Sequence, residues 1–546
     1  MTATQLSISS ETLSSKTLRE IPEGTPDNSP LRIICSLESR IKTLDEEQQK
    51  AAAEYPNGPQ RLRGLAGTGK TVLFAKRAAK IHAEHPDWNL AFVFFTRSLY
   101  EQIIKERIGL YYFEMTGKEP NWEKLRVLHA WGAKDQDGFY RTLAIKCGIK
   151  PKTVKDVETE IGKVSPGKAF EYICDGLEQQ SHVPVLYDAI LIDEGQDLPA
   201  SFYRLARNTL SAPKRLYWAY DEAQGMDTLT VPQPMTIFGR HADGTPVVDL
   251  GGNKLSDGKT TSPFYEGTNI RKAYPLNRCY RTPRLLLMAA HAVNMGLLRT
   301  GGPLQGVSRK EEWEVLGYKV IEGDFSDASV KAQKFVTVTR PADKSPHPID
   351  QEGFEAQAAL GDPLTIQAFG NEPQEQGWIA EQVANDLKQG LAPSDIMITA
   401  LCGKDEKNYL LGIKNALATY GIKGCIAGID TKPSGFGLPD HVTLTNIHRA
   451  KGNEAWKAYA CRFHYATQPL AWRKETELRK RNEAFVAMTR ARVWCVVTGL
   501  EDPIFDELQK AKEQYPNLVF PAFNKASLKR VNDEHTEEGD RTEVTQ

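Results

Sequence analysis

The chain has no pair of cysteines at C-x-x-C spacing; its eight cysteines (Cys35, Cys147, Cys174, Cys279, Cys402, Cys425, Cys461 and Cys495) stand singly among 546 residues. That scatter argues against a zinc module, an iron–sulfur cluster or a dithiol redox centre, and a reduced, cytoplasmic compartment is the expectation. No apolar run is long enough to span a membrane. The opening MTATQLSISSETLSSK has neither the basic start nor the apolar core of a secretory signal. No membrane partner is expected. Net charge is also missing: 69 Lys and Arg against 70 Asp and Glu leave −1, so any nucleic-acid binding needs a local patch rather than a global field. Internal repeats and long low-complexity tracts are absent as well.

What is present starts at Gly64, where the chain reads GLAGTGKT through Thr71, a complete G-x-x-x-x-G-K-[ST] phosphate loop. Leu62 precedes it, and Val72, Leu73, Ala75, Ala78, Ala79 and Ile81 follow at helical spacing. The glycines therefore fall at a strand-to-helix junction, where backbone N–H groups and the helix dipole hold phosphate oxygens. Gly64, Ala66, Gly67, Thr68 and Gly69 form the cradle, Lys70 reaches the outer phosphates, and the Thr71 hydroxyl ligates Mg2+. Further on, LIDEGQD puts Asp193 and Glu194 behind the apolar run AILI. That is the C-terminal end of a strand, where open α/β sheets place their ligands. Asp193 suits Mg2+ and Glu194 suits a general base that activates water. ATP and Mg2+ are the ligands expected.

Short apolar runs alternate with helical segments: LAFVFF, AILI and RLYWAY in one set, DIMITAL, HVTLTNI and RVWCVVTGL in a second. The alternation predicts an α/β fold of two similar domains with parallel sheets. Residues 1–30 read as a disordered lead-in, 31–275 as the first domain and 276–505 as the second. The first carries a mainly helical insertion at 98–185 and a loop or hairpin insertion at 227–273, with turn signals at Asp243-Gly244 and Asp257-Gly258. The second carries an insertion at 296–365, which includes the strand candidates GYKVIEG and KFVTVTR. Residues 506–546 read as an extension with an acidic tail.

The ordered segments LDEEQQ, GLAGTGKT, FFTRSL, VLHAW, LIDEGQD, AYDEAQ, NRCYRTP, NIHRAKGNEA and EAFVAMTRAR together resemble the motif series of superfamily 1 helicases, in particular the UvrD/Rep-like branch. The resemblance spans about residues 44 to 492. It implies two RecA-like P-loop NTPase domains, with ATP hydrolysed in the cleft between them. It implies that Gln48 reads adenine, Tyr280 stacks on the base, and Gln196 and Gln224 contact the γ-phosphate or the water. Arg281 and Arg490 would be supplied to the triphosphate by the second domain, and Glu454 would contact the sugar hydroxyl. His448 and Lys451 would couple that contact to a nucleic-acid strand. For single-stranded DNA the candidates are Phe95, Thr96 and Arg97, then His129 and Trp131, because an aromatic beside cationic and hydroxyl groups stacks bases while holding phosphates. Seven Lys and Arg against three Glu between Leu470 and Arg492 offer a basic face.

Three departures bear on function. Asn453 stands where the family usually has an apolar residue. The stretch after Gln224, AQGMDTLT, lacks the aromatic with which relatives stack on a translocating strand. Only about 40 residues separate ITAL from HVTL, too few for the accessory domain of the larger relatives. The readings these leave open are a DNA helicase or single-strand translocase, an ATP-driven regulatory or loading subunit that docks a protein partner through its insertions or tails, and an enzyme acting on RNA.

Overall fold

The computed structural model describes residues 19, 21–40, 52–64, 67–95, 100–133, 137–180, 182–221, 234–253, 260–354, 356–401, 403–432, 435–470, 476–524, 526 and 528. Two six-stranded parallel sheets organise them. The first contains β1 (Gln60–Gly64), β2 (Leu90–Phe94), β3 (Leu125–His129), β4 (Tyr187–Ile192), β5 (Leu210–Tyr220) and β6 (Ala273–Leu276), in the order β3-β2-β4-β5-β1-β6.

A small three-stranded antiparallel sheet follows in the chain, beginning with β7 (Lys319–Glu322) and β8 (Phe335–Thr339). The second parallel sheet contains β9 (Leu364–Phe369), β10 (Ile396–Ala400), β11 (Gly424–Ile426), β12 (Val442–Asn446), β13 (Ala455–Cys461) and β14 (Ala491–Leu500). Its order is β11-β12-β10-β13-β14-β9. With β9, β10, β12, β13 and β14 taken as counterparts of β1 to β5, the two sheets share one five-strand order. The first adds β6 at one edge and the second adds β11 at the other.

The composition of the strands explains their burial. Every residue of β2 (LAFVF) and of β10 (IMITA) is buried, as expected of parallel strands covered on both faces. Alternate β2 residues serve opposite cores: Phe92 and Phe94 pack with Leu73, Phe74 and Ile81, while Ala91 and Val93 pack with Ile192, Phe170 and Trp218.

Several sequence expectations are corrected here. The segment 98–185 is mainly helical as expected, but it is not an insertion. It contains β3, the edge strand, and its helices are crossovers: Tyr100–Thr116 joins β2 to β3, and the three from Phe139 to Glu178 join β3 to β4. Parallel neighbours require such crossovers. The helix Pro30–Arg40, assigned by sequence to the first domain, packs on the second sheet instead. Its Ile33, Ile34 and Leu37 are fully buried with Ile379, Val383 and Ile398. The chain just before it is tied there too, by two 2.7 Å bonds from Arg19 to Asp395 and by Ser29 Oγ donating to the Gln389 carbonyl at 3.0 Å. The stretch 296–365 carries both expected strands, β7 and β8, and reaches β9, an integral strand of the second sheet. The C-terminal extension is also structured in part: β15 (Asn517–Pro521) completes the three-stranded sheet β15-β8-β7, with Leu518 and Phe520 in its core. Between 234 and 273 the chain makes isolated bridges, Arg240 with Pro246 and Phe264 with Arg271, with a turn at Asp243-Gly244 where Gly244 has φ 82°. Asp257-Gly258 lies outside the described residues.

Candidate nucleotide site between the sheets

The phosphate loop leaves β1 and enters the helix Lys70–Glu84 as its spacing predicts. Gly67 and Gly69 take φ 76° and 86°, conformations that cost a non-glycine residue. Gly64 is required by contact rather than by φ: a Cβ there would lie 2.7 Å from Thr68 Oγ1 and 2.9 Å from Leu276 Cβ. Lys70 is buried and donates to the Gly64 carbonyl at 2.7 Å and to Asp221 at 3.2 Å. Ala66, Gln48 and Gln224 lie outside the described residues.

At the end of β4, Asp193 is fully buried and accepts the Thr71 hydroxyl proton at 2.6 Å. Its other oxygen accepts the Glu194 amide at 3.0 Å. A hydroxyl beside a buried carboxylate, next to a phosphate cradle, fits Mg2+, which binds through one or two protein oxygens and keeps the rest for phosphate and water. Glu194 is held at φ 53°, ψ 42°, a left-handed conformation that non-glycine residues adopt mainly where surroundings impose it. Gln196 donates to the Glu194 carboxylate at 2.5 Å and accepts the Asp221 amide at 3.1 Å, linking the ends of β4 and β5. Burial works to raise the Glu194 pKa, but Lys451, then Lys70, the Gln196 amide and Arg490 outweigh it and hold the carboxylate below its ordinary value.

Asp221 was not singled out in the sequence. Its signal is there in AYDEAQ, an acid ending a buried strand just as LIDEGQD does. Because β5 lies beside β1, that acid meets the loop lysine.

The segment after β6 and the loops of the second sheet both reach this site. The Tyr280 amide donates to the Gly67 carbonyl at 3.0 Å, and a Cβ on Gly67 would lie 2.9 Å from Arg281 Cβ. Arg281 pairs with Glu454 at 3.1 Å. Lys451, buried, pairs with Asp197 of the first sheet. Arg490, also buried, donates to the Asn453 carbonyl at 3.2 Å and to the Val486 carbonyl at 2.9 Å. Burial and then Arg281 depress the Arg490 pKa, while Glu194, Glu454 and Asp221 oppose them. Around Glu454, burial works upward, but Arg281, Arg492, Arg107 and Arg490 hold its pKa below the usual glutamate range. Asn453, the departure noted above, is accommodated by donating from its amide to the Arg449 carbonyl at 3.1 Å.

In the second sheet the equivalent places carry opposite charges. Arg462 follows β13 as Glu194 follows β4, with φ 56°, ψ 37° and a 3₁₀ turn after it. The helix Glu372–Lys388 follows β9 as Lys70–Glu84 follows β1, and its first turn brings Glu372 to Arg462 at 3.1 Å. Glu375 accepts the Arg462 amide at 3.1 Å and the Thr498 hydroxyl at 2.7 Å.

The nucleic-acid candidates fare differently. Trp131 is buried against Phe170, and its indole N–H is satisfied by the Lys152 carbonyl at 3.0 Å. His129 is buried too: Nδ1 accepts the Trp131 and Gly132 amides at 3.1 Å each, which leaves Nε2 to donate to the Phe95 carbonyl at 2.7 Å. Phe95 stacks on the His129 ring and packs at a tilt against Phe170. His129 and Trp131 are enclosed in the first core and Phe95 packs half-buried against it, because the helix Pro166–Glu178 lays Phe170 across them. Thr96 and Arg97 lie outside the described residues, and His448 is exposed on the turn Ile447–Ala450.

Of the expected basic face, Arg473 and Lys474 lie outside the described residues, and Lys480, Arg481 and Arg490 are buried. Lys480 and Arg481 are fully buried, Lys480 paired with Glu483 at 3.1 Å and Arg481 with both Glu507 oxygens at 2.8 Å. The packing of Glu477–Met488 against Arg284–Met295 and Pro503–Gln514 turns that face inward.

Among the described residues no helix is long and apolar enough to cross a membrane. No protein-family model matches the chain, and no curated protein matches it either.

Proposed function

We propose that the chain is an ATP hydrolase built on two RecA-like units, working as a DNA helicase or single-stranded DNA translocase. One observation carries the reading: a phosphate loop and two strand-end acids on one sheet are faced by Arg281, Glu454, Lys451 and Arg490 from the other. Hydrolysis needs a cradle, a group to orient water, and cations for the developing phosphoryl charge. Lys70 and the loop amides supply the cradle, and Glu194 is ionised and beside Gln196 for the water. Arg281 and Arg490 supply guanidinium charge from across the cleft. Thr71 and Asp193 would hold Mg2+, which supplies charge neutralisation on the phosphates when bound. Because the cations belong to the other sheet, nucleotide favours closure and its loss favours opening, the cycle a motor requires.

A second reading, an ATP-driven regulatory or loading subunit, is favoured by a separate observation. Phe95, His129 and Trp131 are engaged in the first core, and Lys480, Arg481 and Arg490 of the expected basic face are buried. RNA as the strand is a third reading. The discriminating experiment measures ATP hydrolysis by the full chain alone and with single-stranded DNA, duplex DNA and RNA. Severalfold stimulation by single-stranded DNA supports the motor. A rate indifferent to every nucleic acid overturns it and leaves the regulatory reading, and Lys70→Ala abolishes hydrolysis in either case.

A further inference from the structure

The chain leaves the first sheet at Leu276, the last residue of β6, and the first residues of the crossing that follows are gripped from the small antiparallel sheet. β8 is the middle strand of that sheet, with Val336 and Val338 fully buried, and Arg340 follows it directly. The Arg340 side chain is fully buried, its guanidinium 5.3 Å from the Tyr318 ring centre. That guanidinium gathers neutral oxygens from three segments. One η nitrogen donates to the carbonyls of Asn277 and Lys344 at 2.8 Å each, the other to the Leu316 carbonyl at 2.7 Å, and Nε donates to Ser345 Oγ at 2.9 Å. Burying a charge costs free energy that such bonds only offset, and an apolar side chain fills the same space without that cost. What the guanidinium adds is a planar fork of donors that fixes several acceptors at once.

Two of the groups it organises belong to the crossing. Asn277 is bonded directly, and the Cys279 amide donates to the same Lys344 carbonyl at 3.0 Å. The next residues meet the phosphate loop: the Tyr280 amide donates to the Gly67 carbonyl at 3.0 Å, and a Cβ on Gly67 would lie 2.9 Å from Arg281 Cβ. The fit on the Arg340 side is equally close. Gly317 has φ 84°, and a Cβ there would lie 2.5 Å from the Asn277 carbonyl oxygen and 2.8 Å from an Arg340 η nitrogen. Residues 277–281 are therefore clasped between Arg340 and the phosphate loop, with Arg281 at the loop end of the clasp.

We infer that Arg340 is a positioning residue for Arg281: from the end of β8 it fixes the crossing between the two parallel sheets, so the small antiparallel sheet sets where the cleft arginine stands. The inference rests on the nucleotide-hydrolase reading above. Arg340 touches no part of the phosphate loop and acts only through the chain it holds. A misplacement of about 1 Å in a reacting constellation can cost about a hundredfold in rate, so a grip on the backbone four residues away is enough to matter.

The test compares ATP hydrolysis by the full chain in the wild type, Arg340→Lys, Arg281→Gln and the double variant. Lysine keeps the charge but offers a single nitrogen, which cannot serve all three segments. Arg340→Lys lowers kcat/KM about tenfold where Arg281 is present and less than about twofold in the Arg281→Gln background, because its effect passes through Arg281. Iodoacetamide labelling of the nucleotide-free chain, mapped by mass spectrometry, gives a second readout. Cys279, fully buried in the clasped segment, is labelled about fivefold faster in Arg340→Lys, while the equally buried Cys461 and Cys495 of the second sheet stay protected. The inference is overturned if the two substitutions multiply, if Cys279 labelling is unchanged, or if all three cysteines open together, which marks general loosening. Should Arg340→Lys not fold, Ser345→Ala, which removes only the acceptor of Nε, makes the same comparison, and an equal loss in both Arg281 backgrounds overturns the inference there too. A wild type without ATP hydrolysis fails the nucleotide reading and takes the positioning role with it, a result visible before any substitution is made.

Discussion

Glu194 and Arg462 occupy the same place in the two sheets, each in a left-handed conformation between a strand end and a 3₁₀ turn, and they carry opposite charges. Glu194 lies within the influence of Lys70, which opens the helix after the GLAGTGKT loop. Arg462 faces the Glu372 carboxylate, which lies in the first turn of the helix that would have to receive phosphate. On the proposed nucleotide reading, one fold makes an anion site in the first sheet and cancels it in the second, because a carboxylate at a helix N-terminus uses the dipole that phosphate would need.

Nucleotide should accordingly bind with a stoichiometry of one per chain. Lys70→Ala should remove all of that binding in equilibrium dialysis, whereas Arg462→Ala should lower the unfolding midpoint and leave the stoichiometry at one. Residual saturable binding in the Lys70 variant would show that the second sheet also holds nucleotide.

Lys451 is the largest of the cationic influences that hold Glu194 below its ordinary pKa. If Glu194 is the base of the proposed hydrolysis it must be ionised, so activity should fall as pH drops through its folded-state pKa. Lys451→Met removes the cation, raises that pKa and moves the acid limb of the kcat profile to higher pH. It also removes the ion pair to Asp197 that joins the two sheets. An unchanged acid limb would place the base elsewhere.

His291 is fully buried, with Nδ1 against the Tyr318 hydroxyl at 2.6 Å and its ring stacked on Phe485. Burial, with Arg340 nearby, lowers its pKa to about 3. A depressed pKa contributes stability that is intact above the unfolded value, near 6.5, and is lost as pH falls toward the folded one. Between pH 7 and pH 5 the unfolding free energy should drop by about 2 kcal/mol on this account. His291→Gln should flatten that slope in denaturant titrations at the two pH values.

Trp131→Ala should cost about 3–5 kcal/mol by removing a core indole. Once folded at low temperature, the variant should bind single-stranded DNA as the wild type does. A selective loss of binding without loss of stability would return Trp131 to the nucleic-acid interface.

Leu37 tests the N-terminal helix. It is fully buried in the core of the second sheet, so Leu37→Ala should destabilise by about 2–5 kcal/mol. Limited proteolysis should then cut first within the second unit rather than the first.

The parts of this protein legible in its sequence are those whose chemistry is contiguous. GLAGTGKT declares a strand-to-helix loop of phosphate-binding type within eight successive residues, because glycine conformations and helix N–H groups are local properties, and LIDEGQD ends its strand for the same reason. Apolar runs such as LAFVF and IMITA declare buried parallel strands by themselves. Partnership across long sequence separations was decided by packing. Arg281 and Glu454 are joined only because the segment after β6 passes over the phosphate loop, and Asp221 meets Lys70 only because β5 lies beside β1. The helix Pro30–Arg40 has an amphipathic pattern that fits either sheet, and its burial with Ile379 and Val383 settles which. Charge was the least legible quantity: the run from Leu470 to Arg492 reads as a solvated basic face, yet Lys480 and Arg481 find carboxylates inside the fold. A sequence records how many charges a segment has, and only the tertiary structure decides which of them water keeps.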